Sequence, residues 1–111
     1  MLDAGMNDLA RPALYGAYHE IAPVRQGDTE ESYDVVGPVC ESSDIFGSNR
    51  RLPKLESGDL VAILNAGAYG AAMSSNYNTR GLLPEILVDG NHFKTIRERQ
   101  SFEEIVALER Y

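Results

Sequence analysis

Five consecutive apolar residues, Leu60-Val61-Ala62-Ile63-Leu64, lie between two turn signals, Gly58-Asp59 before and Asn65-Ala66-Gly67 after. A run that short between breakers reads as a buried strand rather than a helix. Other segments follow the same rule. Residues 19–24 are β-like, and residues 33–39 are β-branched and closed by Gly37-Pro38. Residues 85–89 and 93–97 read as two more strands. Asp89-Gly90-Asn91 between them is a hairpin signal, because Gly90 tolerates the positive φ of such turns. Residues 26–32, with Asp28, Glu30 and Glu31, read as a solvated loop, and residues 54–59 as a turn. Residues 49–54 hold Arg50, Arg51 and Lys54, a basic spot. Two helical pieces are predicted. One covers residues 12–18 and opens on Pro12. The other opens at Ser101 with Glu104 three positions on, a capping box. The expectation is a mainly β chain with short helices near each end.

At 111 residues, with 43 % hydrophobic and 24 % charged, the chain has room for one domain and a core of its own. Its net charge of −7 argues against nucleic acid and anionic membrane surfaces as partners. No apolar run approaches the ~20 residues that span a bilayer. Cys40 is the only cysteine, so no internal disulfide or cysteine-rich zinc site is expected. His19 and His92 are far apart and read as structural, which leaves no metal site. A soluble protein of a reducing, cytoplasmic compartment is the default reading.

Four stretches are richer in polar and glycine residues than a plain β domain requires. Asp3-Ala4-Gly5-Met6-Asn7-Asp8 leads to Arg11 at a helix entrance and Tyr15 one turn later. A guanidinium and a phenol so placed can hold a carboxylate; the plainer reading is a surface salt bridge beside a half-buried tyrosine. Cys40-Glu41-Ser42-Ser43-Asp44 gathers a thiol, carboxylates and hydroxyls suited to proton transfer, or forms a capped turn around an inert cysteine. Asn65-Ala66-Gly67-Ala68-Tyr69-Gly70-Ala71-Ala72-Met73 leaves Tyr69 as its one large polar side chain. Such a loop cradles a phosphate or ring, or is a tight turn with a packing tyrosine; it matches neither the Walker nor the dinucleotide pattern. Ser74-Ser75-Asn76-Tyr77-Asn78-Thr79-Arg80 is, alone, a polar loop.

The order of these motifs is more specific than any one of them. Asp3 to Tyr15, then Val39-Cys40-Glu41-Ser42-Ser43-Asp44, then Asn65 to Gly70, then Asn76 to Arg80 resembles the C-terminal part of the diaminopimelate decarboxylase family. The likeness continues through Phe93 to Arg99 and Phe102 to Ile105. The resemblance implies a C-terminal β-barrel or sandwich-type domain, residues 1–111, of a two-domain enzyme whose α/β barrel lies outside this chain. It implies pyridoxal 5'-phosphate as cofactor, with the Schiff-base lysine in that barrel rather than at Lys54 or Lys94. It implies that Arg11 and Tyr15 hold a substrate carboxylate, and that Tyr69 contacts cofactor and substrate. By the same likeness Cys40 protonates the carbanionic intermediate after carbon dioxide leaves, and Glu41 meets the distal ammonium.

Related ornithine decarboxylases have Cys-Asp where this chain has Cys-Glu, which favours diaminopimelate, converted to L-lysine. An ordinary thiol, with a pKa of about 8.5, is mostly protonated at neutral pH and can donate. A homodimer is implied, with Cys40 and Glu41 reaching the partner's pocket, so the chain by itself is expected to be inactive. The abrupt start on Asp3-Ala4-Gly5 suggests an excised or separately expressed domain. Gly81 stands where the family usually has proline and is expected to loosen its loop. Two other readings stay open: a decarboxylase of another basic amino acid or polyamine precursor, and a non-catalytic β module that binds a ligand or partner.

Overall fold

The computed structural model describes residues 1–110. The elements in order are α1 (Arg11–Tyr15), β1 (Ile21–Pro23), β2 (Glu30–Val36), β3 (Ile45–Pro53), β4 (Val61–Ile63), α2 (Gly67–Met73), a 3₁₀ turn (Tyr77–Thr79), β5 (Glu85–Asp89), β6 (His92–Arg97) and α3 (Phe102–Ile105). Strands dominate and the helices are short, as expected. The strands form three antiparallel pairs, β1 with β4, β2 with β3 and β5 with β6, and no closed barrel among the described residues. Closure needs continuous hydrogen-bonded neighbours around the ring. Here β1 and β4 are three residues each, and Pro23 ends β1 without an N–H to offer. The mainly β expectation holds, and its barrel or sandwich wording resolves into three linked strand pairs.

Several boundaries move for local reasons. Strand β2 begins at Glu30, so residues 30–32 leave the predicted loop: Glu30 and Glu31 face water opposite Pro53 and Leu52, and Arg51 pairs with Glu30 at 3.1 Å. It stops at Val36 because Gly37-Pro38 cannot continue the ladder. The basic spot belongs to a nine-residue strand, β3, that the sequence did not announce. Asn49 in it adopts φ 53°, and the register with β2 shifts nearby, which breaks the alternation a strand normally shows. Helix α1 ends at Tyr15, with Gly16 at φ 61° as its cap. Strand β4 is only half-buried, and Leu60 before it is exposed. The hairpin turn at Gly90, φ 56°, and the Ser101–Glu104 capping box form as predicted.

Leu9, Ile21, Val35, Phe46 and Leu52 form the buried core, with Tyr33, Leu55, Val61, Ile63 and Ala66 packed around it. His19 is buried, and its Nδ1 donates to the Leu64 carbonyl at 3.0 Å, tying the segment after α1 to the segment before α2. His92 is exposed at the start of β6.

The rest of the chain is thinly covered. Its accessible surface is 8212 Å², about 2,100 Å² more than the roughly 6,100 Å² expected of a compact chain of 12.2 kDa. Its radius of gyration is 15.5 Å, against about 13 Å for a compact domain of this length. The β5–β6 hairpin holds much of the exposed apolar area: Ile86, Leu87, Val88, Phe93 and Ile96 are all open to solvent, Phe93 at 80 %. A lone two-stranded hairpin is marginal in water, and apolar patches of this kind mark interaction surfaces. No helix of the described residues is long and apolar enough to cross a membrane.

Candidate functional site

The site begins with a turn. Asp8 N–H donates to the Gly5 carbonyl at 2.9 Å, and Gly5 N–H donates to Asp8 Oδ2 at 2.8 Å. Asn7, 2 % exposed, donates to Asp8 Oδ1 at 2.9 Å and accepts from Arg80 Nε at 3.0 Å. Arg80 also reaches the Asp3 carbonyl and stands 3.8 Å from Asp8 Oδ2. Ser75 N–H donates to the Asn7 carbonyl at 2.9 Å. The first and fourth polar stretches are thus stitched together across more than 70 residues of sequence. Nothing in a single sequence pairs Asn7 with Arg80; only the Gly5-to-Asp8 spacing hints at a local turn.

That turn sets the start of α1. Its N-cap is Ala10, without a side-chain cap, and Pro12 occupies the first turn. Arg11 extends from here over two aromatic rings, 5.9 Å from the centroid of Tyr15 and 5.3 Å from that of Tyr69. Cation–π contacts at such distances are worth ~0.5–1 kcal/mol when exposed. Tyr69 comes from α2, which composition had disguised as a loop: glycine and alanine surround it, and glycine is a poor helix former. Both rings are largely exposed, Tyr15 at 67 % and Tyr69 at 61 %. No carboxylate of the described residues lies within ion-pair distance of Arg11. The salt-bridge alternative for Arg11 therefore fails, as does the half-buried tyrosine. What stands there is a guanidinium, backed by two phenol rings, with hydrogen-bonding capacity left for an anion.

Cys40 and Glu41 lie on the loop joining β2 to β3. Gly37 N–H donates to the Asp44 carbonyl at 2.9 Å and closes the loop. Inside it, Glu41 N–H donates to the Val39 carbonyl at 2.8 Å, and Asp44 N–H to that of Glu41 at 3.0 Å. Both Cys40 and Glu41 are exposed. The Glu41 carboxylate accepts only from Ser43 N–H at 3.4 Å and the Ser42 hydroxyl at 3.5 Å. No hydrogen bond or ion pair of the described residues links this loop to Arg11, Tyr15 or Tyr69. Cation–π contacts join three of the five expected site residues, and the other two are exposed on a loop whose Ser43 lines a cavity with Pro12 and Ala13 of α1.

The sequence profile of the pyridoxal-dependent decarboxylase C-terminal sheet domain matches residues 1–67, more than half of the chain. The chain belongs to this family. The match includes Arg11, Tyr15, Cys40 and Glu41, whereas Tyr69 lies just beyond it. Among relatives of this decarboxylase sheet domain, the diaminopimelate decarboxylase of Archaeoglobus fulgidus is 49 % identical over 111 residues, covering 98 % of this chain and 26 % of that protein. The crystal structure of diaminopimelate decarboxylase from M. jannaschii in complex with L-lysine superposes with a TM-score of 0.95 at 43 % identity, over 98 % of this chain and 25 % of that one. The lysine/ornithine decarboxylase of Vibrio vulnificus, complexed with cadaverine, gives 0.63 at 32 % identity over 70 % of this chain and 21 % of that one. The chain spans about a quarter of the length of the curated relatives it matches.

Proposed function

We propose that this sheet domain is the C-terminal domain of a diaminopimelate decarboxylase, an enzyme that removes the carboxyl group at the D-centre of meso-diaminopimelate to give L-lysine. The observation that carries the reading is Arg11, set over Tyr15 and Tyr69 without an acidic partner. A guanidinium left free in this way suits a substrate carboxylate. The weaker likeness to the lysine/ornithine enzyme, and Glu41 in place of aspartate after the cysteine, favour diaminopimelate over a simple diamine precursor.

The chain's residues fit part of a pyridoxal phosphate pocket. Tyr69 offers an exposed phenol ring among small residues, and the space where a Cβ of Gly67 would stand is open. Lys54 and Lys94 are exposed, one just after β3 and one in the hairpin, so the covalent anchor belongs to the α/β barrel of the parent enzyme. Bound pyridoxal phosphate would supply the electron sink that lets the carboxyl group leave. Arg11 and Tyr15 fix a carboxylate of the substrate. Tyr69 packs against the cofactor side, its ring held by the Arg11 guanidinium. Glu41 receives the distal ammonium, and the Cys40 thiol delivers a proton to the carbon that has lost its carboxyl group.

Cys40 and Glu41 are exposed on the β2–β3 loop, and in this reading they complete the pocket of a second protomer in a homodimer. The exposed hairpin and the surplus of accessible surface are covered by the barrel domain and that partner; an interface of standard size buries ~1,200–2,000 Å² in total. The enzyme is cytoplasmic in this account. The test is turnover by the parent enzyme: meso-diaminopimelate decarboxylated far faster than ornithine or lysine supports the reading, and the reverse preference refutes it.

A further inference from the structure

We infer that Asp44 is a positioning residue, holding the backbone of the Cys40–Glu41 loop in place. The inference rests on the reading of Cys40 and Glu41 given above. Neither of those side chains is anchored by any contact beyond its own loop, so their placement comes from the backbone. Asp44 fixes that backbone.

Its side chain is 3 % exposed, and both oxygens are used. Oδ2 accepts from the N–H of Val39, the residue before Cys40, at 2.8 Å, and Oδ1 accepts from Met6 N–H at 2.7 Å. A buried carboxylate is costly unless hydrogen-bonded. Here the two backbone donors satisfy it, since no cation of the described residues is within ion-pair distance. One carboxylate therefore joins the loop to the Asp3–Asp8 turn, the same turn from which Arg11 departs. Gly37 makes the arrangement possible: a Cβ there would overlap both Asp44 oxygens. Asparagine would turn an N–H toward one of the two donors, and glutamate would carry one methylene too many.

The parent enzyme carries the test, in a double-mutant cycle. Asp44→Asn alone is expected to lower kcat about 10–100-fold, the scale of a misplaced reacting group. In a Cys40→Ala background, which already lacks the proton donor, the same change is expected to cost less than about threefold, because coupled residues do not add. An equal fold-loss in both backgrounds, or a wild-type rate for Asp44→Asn, overturns the proposal. Cys40→Ala turning over at the wild-type rate instead sinks the underlying reading of Cys40, and is read from that variant alone. Amide exchange supplies a measurement independent of turnover. Met6 and Val39 are expected to lose protection in both Asp44→Asn and Gly37→Ala while Leu52 keeps it; unchanged exchange at Met6 and Val39 refutes the assignment.

Discussion

The guanidinium of Arg11 stands 5.3 Å from the ring centroid of Tyr69, although the two residues lie on different helices, α1 and α2, with strands β1 to β4 between them in the sequence. The contact links the carboxylate-holding end of the proposed site to its cofactor end. Arg11→Gln in the parent enzyme should therefore lower kcat/KM about 10–150-fold, since a hydrogen bond to a charged group is worth ~1.5–3 kcal/mol. Arg11→Lys should recover only part of this, as an ammonium lacks the planar fork. Steady-state kinetics on both variants check it.

Arg80 is the long-range tie of the Asp3–Asp8 turn. Arg80→Ala strips partners from Asn7 and Asp8, both well buried, and should cost ~1–3 kcal/mol. Arg51→Ala removes only an exposed pair with Glu30 and should cost at most ~1 kcal/mol. Denaturant midpoints of the two variants, compared with the unaltered chain, give the ranking directly.

Gly81 is not a loosened link. A Cβ there would come 2.6 Å from the Gln100 carbonyl oxygen, and Gln100 in turn accepts from Asn76 at 2.6 Å and from Leu82 N–H at 3.1 Å. Gly81→Ala is expected to destabilise by ~1–3 kcal/mol, the usual cost of overpacking. Thermal unfolding checks it, and the loosened-loop expectation predicts the opposite sign.

The cap of α3 gives a pH-dependent signal. Ser101 Oγ accepts from Glu104 N–H at 3.2 Å, and Glu104 Oε2 accepts from Ser101 N–H at 2.7 Å. The Glu103 carboxyl is held below the ordinary glutamate range, first by its own backbone N–H and then by the Ser101 hydroxyl. A lowered folded-state value means stability that is full above the ordinary range and lost as pH falls through the lowered one. Amide protection across residues 102–105 should decline on acidification. Ser101→Ala should cost about 1 kcal/mol of cap and flatten the decline.

What the sequence made legible was local. Proline before a short helix, Gly90 between two strands, and Ser101 with Glu104 are signals that neighbours in sequence complete. The order of Arg11, Cys40, Glu41 and Tyr69 was legible through family resemblance. Strand β3 was hidden because Asn49, Arg50 and Arg51 interrupt its pattern, and α2 because Gly-Ala composition mimics a loop. Asn7, Asp44 and Arg80 escaped because their partners lie 5 to 73 residues away and no spacing rule joins them.

The most direct measurement is release of carbon dioxide from meso-diaminopimelate, with pyridoxal phosphate present, by the parent polypeptide and by the 111-residue chain alone. Turnover by the parent, with L-lysine as product, and none by the isolated chain is the predicted result. Steady turnover by the isolated chain, or a parent that leaves diaminopimelate untouched, would contradict the account.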